Sequence, residues 1–415
     1  MRLVPLCLAA ILCALLVNEA TAETLRERML RSYALQSGLV PPEETWVPQD
    51  PNVVAVGQRL FESKLLSSER DTACASCHLD RFGSADGLPT AIGVEGQSFG
   101  RTRVEFDGDK LPRNALPLWG RGGKGFDTMF WDGRVTRTKE GLISQFGSTP
   151  PSDDPLVVAA HLPPLELGEM VMDRDGRYQA YEAEDVATAM SFAGTIVDRL
   201  RKESPLIEQL STATDIPAPE ITFTDVMRAV ASFIAFNYRL QETRFHAFVF
   251  GGGALSEQEV RGGLVFYGKG QCVSCHNGPY FSDQAFHVIA FPQFGYGFNG
   301  FGTDYGRYNM TQDPGDLFRF RTAPLFNVTR TAPYSHSGSV SSLSEAIRYH
   351  VDPLAVEPSK NFTAEDRQLY ARRIGAWAAD YPLTATLDNA DIDDLTAFLA
   401  ALEYESERPV VEIQP

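Results

Sequence analysis

Two short motifs in this 415-residue chain place two cysteines and a histidine at the same spacing: CASCH at residues 74–78 and CVSCH at residues 272–276. Two thiols three positions apart can each form a thioether with a porphyrin edge, and the adjacent histidine can then bind the iron. A single motif would also suit a zinc site or a redox-active dithiol. The repetition favours two covalently bound haems of the c type. The predicted attachment and ligand residues are Cys74, Cys77, His78, Cys272, Cys275 and His276.

The first 22 residues have the parts of a cleavable secretion signal. Arg2 supplies the positive charge, residues 3–17 form the apolar run, and small residues precede a cleavage site after Ala22. The run is short for a membrane span, and no second long apolar run follows. We therefore expect a periplasmic protein without a stable membrane anchor. All four cysteines beyond this segment belong to the two motifs, so none remains for a disulfide.

The formal net charge of −17 argues against nucleic acid as a partner. A basic electron-donor protein could be steered to such an acidic surface, although acidity also serves solubility alone.

We divide the rest of the chain into an N-terminal segment (23–50), a first domain (51–220), a second domain (221–402) and a frayed tail (403–415). The stretch Ser211–Pro219 is read as the linker, because its prolines interrupt regular structure.

A weak internal repeat supports two domains. GQRLF at residues 57–61 precedes the first motif, and GGLVF at residues 262–266 precedes the second. Ser256 and Glu259 form a capping-box pattern at the start of the second of these helices. Strand signals are few. We expect a mainly α fold of two tandem cytochrome c-like domains with long loops and little β structure.

Three other stretches have recognisable patterns. Residues 222–246 carry apolar residues at helical spacing, and residues 384–402 are read as a final helix. The stretch Phe291–Tyr308 is rich in glycine and aromatic residues, which predicts a long ordered loop near the second haem.

Four further stretches identify a family. They read RNALP at residues 113–117, FWDGR at 130–134, TAPYSHSG at 331–338 and SLSEA at 342–346. Together with the two motifs in this order, they resemble the bacterial di-haem cytochrome c peroxidase and MauG family over residues 50–402. The resemblance implies two haem domains packed face to face, one haem meeting hydrogen peroxide and the other relaying electrons.

In that family the N-terminal haem is the peroxidatic one, which makes His78 its proximal ligand. Many relatives cap this iron with a loop histidine until reduction releases it. The matching loop, AIGVEGQ at residues 91–97, has Val94 at that position. We therefore expect an open, five-coordinate iron in the diferric protein.

Peroxide cleavage requires a group that moves a proton between the two oxygens. Glu169 matches the distal glutamate of the family, although a surface carboxylate at a helix start is the alternative. A glutamine that relatives have ten residues earlier is Ala159 in this chain. His161, two residues on, could replace it, but a lone histidine often has only a structural role.

The second haem needs a sixth ligand, which in relatives is often Met or Tyr. Leu343, Ala346, Ile347 and His350 share one face of the predicted helix from residue 342. His350 occupies the family's axial position, with Tyr349 and Met310 as rivals. Ligation by two histidines implies a lower reduction potential than ligation by His and Met.

The resemblance also implies roles for residues between the domains. Trp131 matches a tryptophan that lies between the haems and can pass electrons, although any tryptophan can simply pack in a core. A calcium ion at the junction would take oxygen ligands from Asn114, Thr331 and Pro333. Arg103, Arg113 and Arg321 are candidate partners of the haem propionates.

Three functions fit these residues. The first is a peroxidase that reduces hydrogen peroxide with electrons from a small cytochrome or cupredoxin. The second is a MauG-like oxidase that modifies a partner protein. The third is a non-catalytic electron-transfer or redox-sensing cytochrome. Relatives are often homodimers, which makes a homodimer an expectation from the family.

Overall fold

The fold is taken from a computed structural model. It describes residues 23–105, 107–172, 186–293, 295–354, 356, 363–380 and 385–404. The predicted signal segment lies outside these residues. Within them, no helix is both long and apolar enough to cross a membrane.

Helices are the dominant regular structure of the described residues and the strands are short, which confirms the predicted fold class. The helices are α1 (Leu25–Gln36), α2 (Pro51–Glu62), α3 (Pro155–His161), α4 (Val186–Glu203), α5 (Leu206–Thr214), α6 (Phe223–Asn237), α7 (Arg244–Phe250), α8 (Glu257–Tyr267), α9 (Tyr308–Thr311), α10 (Leu343–Val351), α11 (Ala364–Asp380) and α12 (Asn389–Ala400). The strands are β1 (Thr128–Met129), β2 (Val135–Arg137), β3 (Leu142–Ile143), β4 (Phe286–His287), β5 (Tyr296–Gly297), β6 (Gly300–Phe301) and β7 (Phe320–Arg321). They pair antiparallel as β1-β2-β3, β4-β7 and β5-β6.

Side-chain caps determine where several helices begin. The predicted box of Ser256 and Glu259 is present at α8, and Thr24 and Glu27 form another at α1. Each box satisfies two backbone N–H groups that the first helical turn leaves without a partner. Asp50 caps α2, and Pro51 is the first residue of that helix. At this position the missing N–H of proline costs no hydrogen bond.

The same helix crossing occurs in both halves of the chain. In the first half α2 packs against α6, and a Cβ atom added to Gly57 would lie 1.9 Å from the carbonyl oxygen of Ala229. In the second half α8 packs against α12, and a Cβ atom on Gly262 would lie 1.9 Å from the carbonyl oxygen of Asp394. Glycine is needed at both crossings because any side chain would overlap the facing backbone.

Aromatic pairs between the same helices repeat as well. The rings of Phe61 and Phe233 have centroids 5.1 Å apart, and those of Phe266 and Phe398 have centroids 5.3 Å apart. The short sequence repeat thus corresponds to a duplicated structural unit.

Helix α6 packs with the first half, which corrects the predicted domain boundary at residue 220. It contacts both α2 and α3, and its residues Val226 and Val230 are buried there. Periodicity in the sequence predicted a helical pattern over residues 222–246, of which α6 covers Phe223–Asn237 and α7 begins only at Arg244, and it gave no information on the packing partner. The stretch Ser211–Pro219, read as the linker, therefore lies within the first half, and its residues up to Thr214 are the last residues of α5.

Both ends of the described chain pack on the second half. Helix α1 contacts α7 and α8, with Leu30 fully buried. Tyr404, which the sequence assigned to a frayed tail, forms a β-bridge with Thr243 and is buried. Its N–H donates to Oδ1 of Asn327 at 3.0 Å. The ordered second unit therefore extends two residues beyond the predicted end at 402.

Candidate functional site

Two cavities lie behind the repeated motifs. The first, about 230 Å³, is bordered by Cys74, Cys77 and His78. The second, about 220 Å³, is bordered by Cys272, Cys275 and His276. Each motif begins in a 3-10 turn, which brings its two cysteines and its histidine to one cavity wall. The near-equal volumes suit the same flat group in both places.

Each motif histidine is oriented by one backbone carbonyl. Nδ1 of His78 lies 2.9 Å from the carbonyl oxygen of Ser84, and Nδ1 of His276 lies 3.0 Å from that of Phe281. A hydrogen bond at Nδ1 leaves the lone pair of Nε2 for a metal. Burial lowers the pKa of both imidazoles to about 4, so both are neutral, as ligation requires.

Two buried arginines support the haem assignment. Arg121 borders the first cavity and donates to the carbonyl oxygen of Pro117. Arg321 borders the second cavity, and its Nη2 has no hydrogen-bond partner among the described residues. Burial lowers the pKa of Arg321 to about 10. The pKa of Arg121 is also lowered, first by burial and then by the positive charge of Arg321. A buried guanidinium that forms no ion pair with a described carboxylate is costly, so both sites suit a propionate.

Arg103 and Arg113 have other partners, which corrects their prediction as propionate ligands. The guanidinium of Arg113 forms a two-pronged ion pair with Asp304, at 2.7 and 2.9 Å, and a second pair with Asp132. Arg103 is fully buried and donates from Nε to the carbonyl oxygen of Ile92 at 2.9 Å. In both cases the donors of the side chain are already used within the protein.

Arg103 holds the loop that carries Val94. Its Nη2 also donates to the carbonyl oxygen of Gly93. The N–H of Val94 donates to the carbonyl oxygen of Gly168 at 3.1 Å, and the side chain of Val94 is fully buried. Gly93 fits only without a side chain, because a Cβ would lie 1.8 Å from the same Gly168 oxygen. The loop is therefore packed against the segment that contains Gly168, and position 94 offers no imidazole to the cavity.

Glu169 borders the first cavity, together with Glu166 and Arg134. Burial raises the pKa of Glu169 to about 7; the charge of Glu166 adds to this rise and that of Arg134 opposes it. Nη1 of Arg134 lies 3.7 Å from Oε1 of Glu166. A carboxyl group with this pKa can accept and return a proton near neutral pH.

His161 lies away from this cavity, which argues against its suggested distal role. Both ring nitrogens have partners in the core: Nδ1 with the carbonyl oxygen of Val157 at 2.7 Å and Nε2 with Oγ1 of Thr224 at 3.1 Å. The ring packs edge-on against Phe146 and Phe223. We assign His161 a structural role.

Trp131 borders both cavities, and so does Asn114. The indole N–H of Trp131 donates to the carbonyl oxygen of Asn114 at 3.0 Å, which fixes the ring between the two sites. Arg321 holds the same segment, because its backbone N–H donates to the carbonyl oxygen of Trp131 at 2.8 Å. This placement agrees with a tryptophan between the haems.

A buried charge network anchors the residue after this tryptophan. Asp132 is fully buried and receives hydrogen bonds from Arg113 and Arg134. Burial alone would raise the pKa of Asp132, but the two guanidiniums hold it below its usual range. Nη1 of Arg307 donates to the carbonyl oxygen of Asp132 at 2.8 Å. The FWDGR stretch is thus held from both halves of the chain.

His350 faces His276 across the second cavity. The two ring centroids are 6.3 Å apart, and Nδ1 of His350 lies 2.8 Å from the carbonyl oxygen of Ala346. The rival Tyr349 packs against Phe291, with centroids 5.5 Å apart, and His350 contacts the same ring at 5.5 Å. Neither Tyr349 nor Met310 is among the described residues that border this cavity.

The three predicted calcium ligands, Asn114, Thr331 and Pro333, all border the second cavity. Nδ2 of Asn114 donates to the carbonyl oxygen of Leu88 at 2.7 Å, which leaves Oδ1 as the atom it could offer to a cation. Oxygen atoms of this kind suit calcium, and the site remains a prediction.

One other group of possible metal ligands is found among the described residues: Cys275, Asp283 and His287. Nε2 of His287 lies 2.8 Å from Oδ2 of Asp283. Because Cys275 is a predicted haem attachment residue, we assign this group to the predicted second haem site.

Sequence reasoning missed several residues of the first cavity. Arg134 and Glu166 were not singled out, although Arg134 lies within the FWDGR stretch. Phe298 comes from the aromatic loop of the second half and also borders the first cavity, whereas this loop was expected near the second haem alone. Phe291, from the same loop, does border the second cavity.

A sequence model of the di-haem cytochrome c peroxidases matches residues 51–253. The chain is 25% identical to cytochrome-c peroxidase IdrP1 of a Pseudomonas species over 330 residues, which cover 73% of either chain. It is 26% identical to the methylamine utilization protein MauG of Methylorubrum extorquens, over 78% of this chain and 76% of that protein. The crystal structure of the diheme peroxidase BthA from Burkholderia thailandensis has the same fold, with a TM-score of 0.62 and 21% identity over 88% of this chain and 89% of the other. The chain belongs to the family of di-haem cytochrome c peroxidases and MauG proteins, whose members carry two haems of the c type.

Proposed function

We propose that this chain is a periplasmic peroxidase that reduces hydrogen peroxide to water. The electrons come from a small redox protein, a cytochrome c or a cupredoxin, and pass through the second haem. The observation that carries this proposal is the first cavity. It has a carboxyl group suited to proton transfer, Glu169, and its neighbouring loop offers no histidine at position 94 to cap the iron.

The haem bound at His78 would supply an iron that binds peroxide and takes up electrons. The chain supplies the proton chemistry. Glu169, when ionised, would accept a proton from one oxygen of peroxide and return it to the other, which leaves as water; two electrons from the donor and two protons from solvent convert the remaining oxygen to a second water. Arg134 opposes the rise in the pKa of Glu169, so that the carboxylate is populated near neutral pH.

At the second cavity we propose that His276 and His350 would hold the iron of the second haem. A metal–imidazole bond is about 2 Å long, so two imidazoles on one ion have ring centroids about 6 Å apart. The distance between the rings of His276 and His350 agrees with this geometry. Arg321 would bind a propionate of this haem and Arg121 one of the first haem.

Trp131 is the proposed route between the two haems. It borders both cavities, and its ring is fixed by the hydrogen bond to Asn114. An indole held between two cofactors can pass electrons in either direction. A calcium ion bound by Asn114, Thr331 and Pro333 would keep this junction rigid.

A second candidate is the oxidation of a partner protein, as expected for a MauG-like enzyme. The observation that favours it is that the imidazole of His350 faces that of His276, because ligation by two histidines would lower the potential and make reduction by ordinary cytochromes less favourable.

Mixing the diferric protein with hydrogen peroxide and reduced cytochrome c separates the two candidates. Continuous oxidation of the cytochrome, at a rate that depends on the protein, is the result expected of a peroxidase. Haem spectral changes without cytochrome turnover would instead favour a protein substrate. A haem spectrum that peroxide does not change would contradict both.

A further inference from the structure

A continuous row of buried aromatic rings connects the two motif histidines along a path that is separate from Trp131. Each ring is at most 5% exposed. In order from the first histidine to the second, the rings are Phe61, Tyr238, Trp119, Tyr404, Phe326 and Phe281.

The first part of the row leads from His78 to Trp119. The ring of Phe61 lies 6.3 Å from that of His78 and 6.2 Å from that of Tyr238, measured between centroids. Tyr238 then meets Trp119 edge-on at 5.5 Å. Aromatic rings at these distances are in van der Waals contact.

The second part leads from Trp119 to His276. Trp119 lies 4.5 Å from Tyr404, which stacks on Phe326 at 5.7 Å with an angle of 13° between the planes. Phe326 meets Phe281 at 5.6 Å. The carbonyl oxygen of Phe281 is the one that lies 3.0 Å from Nδ1 of His276.

The position of these rings distinguishes them from ordinary core packing. Aromatic rings fill many cores, but this row begins and ends at the two proximal histidines. Tyr404 reaches it because its backbone is held by the bridge to Thr243. The side chains that lose an electron most readily, Tyr238, Trp119 and Tyr404, are consecutive at its centre, and none of them borders either cavity.

We propose that Trp119 stores one oxidising equivalent when peroxide arrives before an electron donor. This inference rests on the proposed reaction with peroxide. Hydrogen peroxide takes up two electrons and two protons to become two molecules of water. One electron comes from the indole of Trp119, which becomes a radical cation, and the other comes from the iron centres; both protons come from solvent. An electron from the donor later restores Trp119.

Trp119 suits this role because of its two neighbours. Tyr238 and Tyr404 flank it on opposite sides of the row, so an electron can leave toward either histidine. Burial keeps the radical away from solvent, and the absence of these rings from the cavity walls keeps it away from a second peroxide molecule.

The test uses the holoprotein with ring-deuterated tryptophan. It is mixed with one equivalent of hydrogen peroxide without a donor, frozen, and examined by electron paramagnetic resonance; oxidised residues are then mapped by mass spectrometry. We expect a tryptophan radical, identified by its response to the label, and oxygen added at Trp119. Trp119→Phe should abolish both signals. Trp46→Phe and Trp377→Phe, outside the row, should retain them. Haem content and absorption spectra of every variant establish that it is folded and loaded.

A tryptophan radical that persists in Trp119→Phe, or disappears only in Trp131→Phe, would overturn the inference. Tyr404→Phe gives a second check, because the ring remains for packing but is harder to oxidise. If electrons pass between Trp119 and Tyr404, the Trp119 radical should decay at a different rate in this variant. An unchanged decay rate would also count against the inference. If peroxide leaves the haem spectrum of the wild-type protein unchanged, the proposed function itself has failed. If peroxide changes the haem spectrum but no radical forms at Trp119, the storage of an oxidising equivalent on Trp119 is rejected and the proposed function is not.

Discussion

The imidazole rings of His276 and His350 face each other across the second cavity with their centroids 6.3 Å apart. One ring comes from the haem attachment motif and the other from α10, and each is oriented by a backbone carbonyl at its Nδ1. The relationship gives the second haem its proposed pair of ligands, and with it a low potential relative to His/Met ligation.

Replacing His350 by Ala should convert the second haem from low spin to high spin, because the sixth ligand is removed while the thioethers keep the haem attached. Absorption and electron paramagnetic resonance spectra of the ferric protein measure this change. Tyr349→Phe is the matched control from the same helix and should leave the spectrum unchanged. A low-spin second haem in the His350→Ala protein would mean that another side chain is the ligand.

Replacing Glu169 by Gln should slow the reaction with peroxide by about 100-fold or more, since the amide cannot transfer the proton. Both haems should stay in place. Stopped-flow absorption measures the rate. Asp109→Asn removes a carboxylate that is exposed and outside the cavity, and the rate should stay within about twofold of that of the wild type. Equal rates for wild type and Glu169→Gln would remove this residue from the mechanism.

The rate of reaction with peroxide should rise with pH and reach half its maximum near pH 7. The pKa of Glu169 is raised to about 7, and only the ionised form, which predominates above that pH, accepts the proton. Glu166→Gln removes a negative charge that contributes to this rise, so the midpoint should move to lower pH. Rate–pH profiles of both proteins test this, and a midpoint that stays in place or moves upward would contradict it.

Replacing Trp131 by Phe should slow electron transfer from the second haem to the first, because the phenyl ring keeps the packing but is much harder to oxidise. The measurement is the re-reduction of the peroxide-treated protein by excess donor, followed in the haem spectrum. Trp377→Phe, whose side chain borders neither cavity, is the control. Similar re-reduction rates in both variants would exclude the proposed route.

Adding a methyl group at either helix crossing should destabilise the fold. Gly57→Ala and Gly262→Ala each place a Cβ 1.9 Å from a facing carbonyl oxygen, and overpacking of this kind costs about 1–3 kcal/mol or more of unfolding free energy. Gly194→Ala, in α4, meets no atom within 4 Å and should stabilise the helix by roughly 0.5–1 kcal/mol. Denaturant titrations measure the difference, and an equal effect at all three glycines would refute the crossing geometry.

Much of the fold could be predicted because the local chemistry is specific. The two CxxCH motifs have few other uses, and the Gly-to-Phe repeat before each of them corresponds to the same helix crossing in both halves. The capping box at Ser256 and Glu259 requires only neighbouring residues, and it is present as predicted.

The domain boundary could not be predicted, because it depends on contacts between distant residues. Periodicity identified α6 as a helix but not that its apolar face meets α2. Tyr404 shows the same limit: a residue close to a chain end gives no local signal that it pairs with Thr243.

For the functional site, residue type alone was a weak indicator of a residue's role. His161 was a candidate because it lies two residues after Ala159, and Arg103 because guanidinium pairs with carboxylate, but in this structure their ring and guanidinium nitrogens are bonded within the core and to a loop. Arg121 has the better claim to a propionate, since it borders a cavity and lacks an acidic partner in its observed hydrogen bonds. Burial and partner atoms, which decide between such arginines, appear only in three dimensions.

The central claim is that the first haem has an open coordination position while the second is ligated by two histidines. The electron paramagnetic resonance spectrum of the diferric holoprotein tests this most directly. We predict one high-spin signal from the haem at His78 and one low-spin signal, typical of two imidazole ligands, from the haem at His276. Two low-spin haems would contradict the open first site and would favour an electron-transfer cytochrome instead.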